Sequence, residues 1–348
     1  MALVFSVAAN PPGLCRASLT GCQACYHTAG LFFDRGWKRA VKYAKGHLSH
    51  EQQADLLISR GLEGERSEIV SALARVNYYR LTGYWFTFRK QDGVTFHEGT
   101  TFEEVWRRYV FDRQLRVVVM DAIERVEIAV RACLAYHHSR QHGPFGYATD
   151  SSSLPDLKAP HDVKSPPHDW FMERARSEHE RSKDQFVKHF DDKYGDEHAD
   201  LPIWEAVEIM SFGTVLSFYK GVDRRTRQAV ADILAVGEPV VTSWLMVINT
   251  VRNVVAHHGR LWNRELGTKP YIPLVRRKPP TNEEWHSPVE VGNERMFPVL
   301  TILLHCLHRI APRSRWRNRL FRVLSDGSPD MLESMGFPKD WHRCPIWM

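Results

Sequence analysis

Residues 251–263, VRNVVAHHGRLWN, gather Arg252, Asn253, His257 and His258 into one short stretch. An imidazole gives or takes a proton near neutral pH, and a guanidinium holds an oxyanion through two parallel N–H donors. Such a set suits acid–base chemistry in which the arginine stabilises developing negative charge. The stretch has no carboxylate or thiolate to complete a metal site, so neither a metal nor another cofactor is expected there.

Spacing alone says little. With 34 arginines and 18 histidines, an arginine separated from a histidine by four to six residues should occur about five times by chance. Five instances occur: Arg131 with His137 and His138, Arg174 with His179, and Arg252 with His257 and His258. The last site differs in its surroundings. The pattern predicts a helix capped by Thr242 or Ser243 and closed by Gly259 at the C′ position. On it Trp244, Val247, Ile248, Val251 and Val255 share one apolar face. Asn249, Asn253 and His257 form a polar stripe opposite, with Arg252 on its flank. His258 projects close to the apolar face, as a core or helix-end histidine.

The rest of the chain also reads as helices. SHEQQADLLISRGL predicts a capped helix ending at Gly61, followed by a second over residues 67–81. Thr101 and Glu104 form a capping box, and no proline or glycine interrupts the sequence from there to about Arg140, which predicts one long helix. Proline and serine crowd residues 150–168, a loop or linker. A polar helix is expected to follow to about Lys193, then one starting at Pro202 and broken at Gly213, then a short one after Asp223. NERMFPVLTILLHCLHRI predicts an apolar helix stopped by Pro312, and SPDMLESMGF a last short one. Strand signals are nearly absent, so the expected fold is an all-α multi-helix bundle.

The 348 residues, 43% of them hydrophobic, suffice for one large core or two smaller ones, and the net charge of +6 permits a polyanionic partner without requiring one. Six scattered cysteines do not make a disulfide framework. Residues 1–46 read as a poorly structured N-terminal appendage, with residues 47–348 as the helical domain. Cys15, Cys22, Cys25 and His27 could supply four zinc ligands, but the irregular spacing and the lack of a second cysteine pair favour an unstructured leader. No apolar run reaches membrane-spanning length and the N-terminus lacks a basic secretory start, so no membrane partner and a cytoplasmic location are expected.

Several blocks, in order, resemble the bacterial Abi-like (abortive infection) proteins of the HEPN superfamily: EQQADLLISRGL, NYYRLTGYWFTFR, GTTFEEVWRRYVFDRQLRVVVMDAIERVEIAVR, LPIWEAVEIMSFGTV, VRNVVAHHGRLWNREL and the ending MGFPKDW. They span about residues 49–341. The resemblance implies a HEPN-like helical bundle, anti-phage defence and RNA as substrate. The superfamily's motif, arginine, a polar residue, three more and histidine, maps onto Arg252, Asn253 and His257. There it cleaves single-stranded RNA without metal, the ribose 2′-hydroxyl attacking the adjacent phosphate. The resemblance further implies a homodimer that pairs two such motifs, and a possible antitoxin or phage-derived trigger as partner. Glu127 and Arg131, at i and i+4 on the long helix, occupy a place where superfamily members often brace the motif, and the alternative is a solvated helix pair. His258, Arg260 and Asn263 are further supporting or RNA-binding candidates.

Tyr78, Tyr79, Tyr84 and Trp85 could stack on bases, although core packing is the commoner use of aromatics on helices. Asp112 and Arg113 are expected in structural ion pairs or hydrogen bonds. Two classes of function follow, a metal-independent endoribonuclease and a non-catalytic RNA-binding or regulatory HEPN protein. The intact Arg-Asn-x-x-x-His favours the first. A DNA-binding protein is weaker, since no helix-turn-helix with a basic recognition helix stands out.

Overall fold

The computed structural model describes residues 43, 45–273 and 290–348, and among them every regular element is helical. Strand-like pairing is confined there to two isolated bridges, Glu63 with Thr101 and Arg89 with Phe96. The all-α expectation holds. By internal contacts the chain divides into residues 1–47 and 48–348. In the first unit only residues 43 and 45–47 are described, and they form no helix. The zinc reading at Cys15, Cys22, Cys25 and His27 lies outside the described residues.

In the second unit α1 (His50–Ser59) opens on a capping box, the Ser49 hydroxyl accepting the Gln52 N–H and the Gln52 carboxamide accepting the Ser49 N–H. The single helix expected over residues 67–81 is two, α2 (Arg66–Arg75) and α3 (Tyr78–Trp85). The Asn77 side chain accepts the Tyr79 N–H and so caps a new N-terminus. The long helix is α4 (Phe102–His142), 41 residues and about 60 Å, begun by the Thr101–Glu104 capping box and ended at Gly143.

After α5 (Gly146–Thr149) the expected loop is present, with one 3-10 turn at Ser151–Ser153. The polar helix that follows breaks near Ser182 into α6 (Pro167–Arg181) and α7 (Gln185–Tyr194). The break expected at Gly213 falls earlier, between α8 (Ile203–Ile209) and α9 (Phe212–Gly221). There Ser211 caps α9 by accepting the Thr214 N–H, and Gly213 lies inside the helix. The remaining helices are α10 (Arg224–Leu234), α11 (Glu238–Ala256), α12 (Met296–Ile310), α13 (Trp316–Ser325) and α14 (Pro329–Glu333).

α4 is the axis of this unit, packed by α3, α8, α10, α11, α12 and α13. Leu115, Val119, Ile123, Val126, Val130 and Leu134 recur on it at helical spacing and are buried. A helix so surrounded also buries polar groups: Asp112, Arg116, Arg131 and His138 are all shielded from solvent. Each must find a partner within the fold or destabilise it, and three of them organise the neighbourhood of the motif. Among the described residues, no single helix is long and apolar enough to cross a membrane.

Candidate active site

α11 starts earlier than expected, at a Gly237 cap with Pro239 in its first turn. Thr242 and Ser243 cannot cap it because their hydroxyls are already engaged. Thr242 Oγ1 bonds back to the Glu238 carbonyl, and Ser243 Oγ accepts the Tyr271 N–H. The expected faces are correct. Trp244, Val247, Ile248, Val251 and Val255 are buried, whereas Asn253 is exposed and Arg252 lies between.

At its other end α11 stops one residue before the first histidine. His257 is the C-cap, and His258, at φ +57°, takes the left-handed position assigned from sequence to Gly259. The His258 N–H donates to Val255 O (2.9 Å) and the Gly259 N–H to Val254 O (2.7 Å), the paired bonds of a Schellman end. Gly259 is needed for space instead. A Cβ there would stand 2.9 Å from Val254 Cγ1 and 3.0 Å from the Val254 carbonyl oxygen. This turn swings His258 into solvent, correcting its placement near the apolar face, and both histidines are exposed.

Arg252 reaches across to α4. Its Nε is 3.9 Å from Glu127 Oε2, while Glu127 Oε1 pairs with the Arg131 guanidinium. Arg131 also donates to the Val207 carbonyl, one of those left unbonded by the last turn of α8. A largely buried carboxylate therefore links two guanidiniums, one locked into the fold and the other, 35% exposed, at the surface beside Asn253. Arg252 Nη1 makes a long contact of 3.5 Å to Asn253 Oδ1. The i, i+4 pair Glu127–Arg131 is thus not a solvated helix pair: its side chains are only 13% and 9% exposed, and Glu127 also faces Arg252.

The segment after α11 is held at four points. Asp112 Oδ1 accepts the N–H groups of Leu261 (2.8 Å) and Trp262 (2.6 Å), and its Oδ2 accepts the Tyr84 hydroxyl (2.7 Å) and pairs with Arg116. Burial and the neighbouring Asp112 carboxylate raise the Tyr84 phenol far above its ordinary value, so Tyr84 stays a donor. Arg80 donates to the His258 carbonyl, and Arg260 Nη1 to the Gly83 carbonyl at 2.9 Å. Asn263, at φ +50°, accepts from Arg295 through Oδ1 at 2.7 Å.

Among the residues expected at the site, Arg252, Asn253, Glu127 and Arg131 form one cluster, and His257 lies at the adjoining helix end. His258, Arg260 and Asn263 use backbone or side-chain groups to shape the following turn. Sequence reasoning missed Arg80, Tyr84 and Arg116 as its supports. It expected Asp112 to be bonded, but the ion-pair partner is Arg116 one turn on rather than the exposed Arg113. The i, i+4 spacing of Asp112 and Arg116 was the available signal. Among the described residues, no three His, Cys, Asp or Glu side chains gather as metal ligands. The His257 ring makes no hydrogen bond among the described residues, which leaves both nitrogens open to a ligand's proton or oxygen.

A family model described as Abi-like protein matches residues 71–263, a span that runs from α2 to the turn after α11. No curated protein and no solved structure gives a significant match to the chain.

Proposed function

The chain belongs to the Abi-like protein family, and from that premise we propose that it is a HEPN-type endoribonuclease of anti-phage abortive infection. Membership supports the role in abortive infection; the chemistry rests on the site. The observation that carries it is an exposed His257 closing the same helix on which Arg252, five residues earlier, faces the Glu127 carboxylate at 3.9 Å. Arg252 grips the scissile phosphate of single-stranded RNA and stabilises the charge of the phosphorane. His257 removes the 2′-hydroxyl proton or protonates the leaving 5′-oxygen, and Asn253 orients a phosphate oxygen or the ring. No metal takes part.

HEPN proteins commonly pair two such motifs, so the reading includes a homodimer that joins the two copies. Ile128, next to Glu127 on α4 and 53% exposed, is an apolar residue suited to that contact. Light scattering at micromolar concentration tests it: a monomer both with and without RNA overturns the composite site.

The test of the reaction uses purified protein and labelled single-stranded RNA in EDTA. Cleavage is expected to persist, leaving 2′,3′-cyclic phosphate or 3′-phosphate and 5′-hydroxyl ends. A 2′-deoxy nucleotide at the scissile position should block it, and His257→Ala should abolish it. Loss of activity in EDTA with recovery in Mg²⁺ and 5′-phosphate products overturns the mechanism. Binding without cleavage, equal in wild type and His257→Ala, supports the regulatory RNA-binding reading instead.

A further inference from the structure

α3 has two unlike sides. Leu81, Tyr84 and Trp85 are buried, yet Tyr79 and Phe86 are 64% and 45% exposed. Phe86 opens the 3-10 turn Phe86–Phe88 that directly continues α3, so Tyr79 and Phe86 stand at the two ends of α3, on the order of 10 Å apart along the axis. Gly83 lies between them, and the space its side chain would fill is taken by Arg260. A Cβ at Gly83 would lie 3.4 Å from Arg260 Cδ and 3.5 Å from Nε. The Arg260 guanidinium is fixed there by the Gly83 carbonyl and stands 5.1 Å from the centre of the Phe86 ring. Arg80, next to Tyr79, is fixed by the carbonyl of His258, which adjoins the candidate catalytic His257. Among the described residues, neither guanidinium is in an ion pair with a carboxylate.

We propose that this face, the Tyr79 and Phe86 rings with Arg80 and Arg260 between and beside them, binds single-stranded RNA next to the bond that is cut. The inference rests on the ribonuclease reading and extends it from the reacting phosphate to the flanking nucleotides. Exposed rings stack on unpaired bases whatever their identity, and arginines without carboxylate partners meet the phosphates between those bases. A duplex keeps its bases stacked on one another and gains nothing from the rings. Backbone bonds fix both arginines in advance, so little side-chain freedom is lost when RNA arrives. The site therefore prefers unpaired RNA without strong sequence preference.

Fluorescence anisotropy with a labelled mixed-sequence single-stranded RNA, and with its duplex form, tests the proposal in a His257→Ala background that prevents cutting. Tyr79→Ala with Phe86→Ala should weaken single-strand binding at least tenfold and duplex binding little, with the melting temperature nearly unchanged because both rings are exposed. Phe86→Leu should lose affinity although it stays apolar, and Phe86→Trp should keep or raise it. If wild type cleaves RNA and the double variant binds single strands within twofold of its parent, the platform is wrong and the ribonuclease reading stands. Equal losses for single strand and duplex also overturn the stacking role. If the parent binds no RNA at all, both readings fall together.

Discussion

Glu127 on α4 and Arg252 on α11 face each other at 3.9 Å, although 125 positions separate them in the sequence. The carboxylate is held on its other side by Arg131, itself tied to the end of α8, so groups from two helices stand behind one surface guanidinium on a third. In the proposed reaction such support would cost little, because the charges are already in place.

Replacing Glu127 separates positioning from stability. Glu127→Gln keeps an acceptor for Arg131 but removes the charge opposite Arg252, and RNA cleavage should fall about tenfold in kcat with a smaller change in KM. Glu127→Ala should in addition lower stability by about 3 kcal/mol in urea titrations, since Arg131, only 9% exposed, loses its counter-charge. An E127Q protein that cleaves at the wild-type rate removes Glu127 from the site.

The adjacent histidines should part company. His257→Ala should remove activity and leave the unfolding midpoint almost unchanged, because the ring is exposed. At His258 the backbone is the sensitive part: Gly relieves the left-handed strain and should stabilise by up to about 1 kcal/mol, while Ala should be nearly neutral. Destabilisation by His258→Gly would contradict the Schellman geometry.

Asp112 clamps the turn after the motif. Asp112→Ala leaves Arg116 and two buried N–H groups without their acceptor and should cost about 3–5 kcal/mol. Asp112→Asn retains one acceptor oxygen, so it should cost less but still slow cleavage by loosening the turn. Amide hydrogen exchange at Leu261 and Trp262 reads this directly, and unchanged protection in Asp112→Ala would show that the Asp112 side chain is not the clamp.

Stability should fall with acid before the carboxylates titrate. Burial, reinforced by His142, holds His138 down at about 4, against a weaker opposing pull from Asp223. Burial likewise holds His305 at about 4 despite its bond to the Leu234 carbonyl. The unfolded chain protonates both near 6.5, so stability is full above that pH and declines as pH drops toward 4, by up to about 3 kcal/mol for each histidine. His138 has no hydrogen bond at either ring nitrogen, so His138→Leu should be neutral or stabilising at pH 7 and should flatten the acid limb. A urea midpoint independent of pH between 6.5 and 4.5 would refute this.

The sequence by itself determined what short-range physics controls. The capped helix from Ser49, the capping box at Thr101, the uninterrupted run of α4 and the five-residue apolar face of α11 follow from side-chain chemistry and helical period. The candidate residues Arg252, Asn253 and His257 were legible in the same way, with the family resemblance supplying their proposed reaction. Tertiary structure alone decided the rest. Gly259 looked like a left-handed C′ residue by propensity, but the helix ends one residue earlier, so His258 takes that conformation and Gly259 is required by its close contact with Val254. The aromatic run at 78–86 could not be divided until α3 was docked, burying Tyr84 and Trp85 and leaving Tyr79 and Phe86 outside. Arg131 meets Val207 across 76 positions and Asp112 meets Leu261 across 149. Periodicity carries no information about such pairs, because it reports which face of a helix is buried and not which buried group lies opposite.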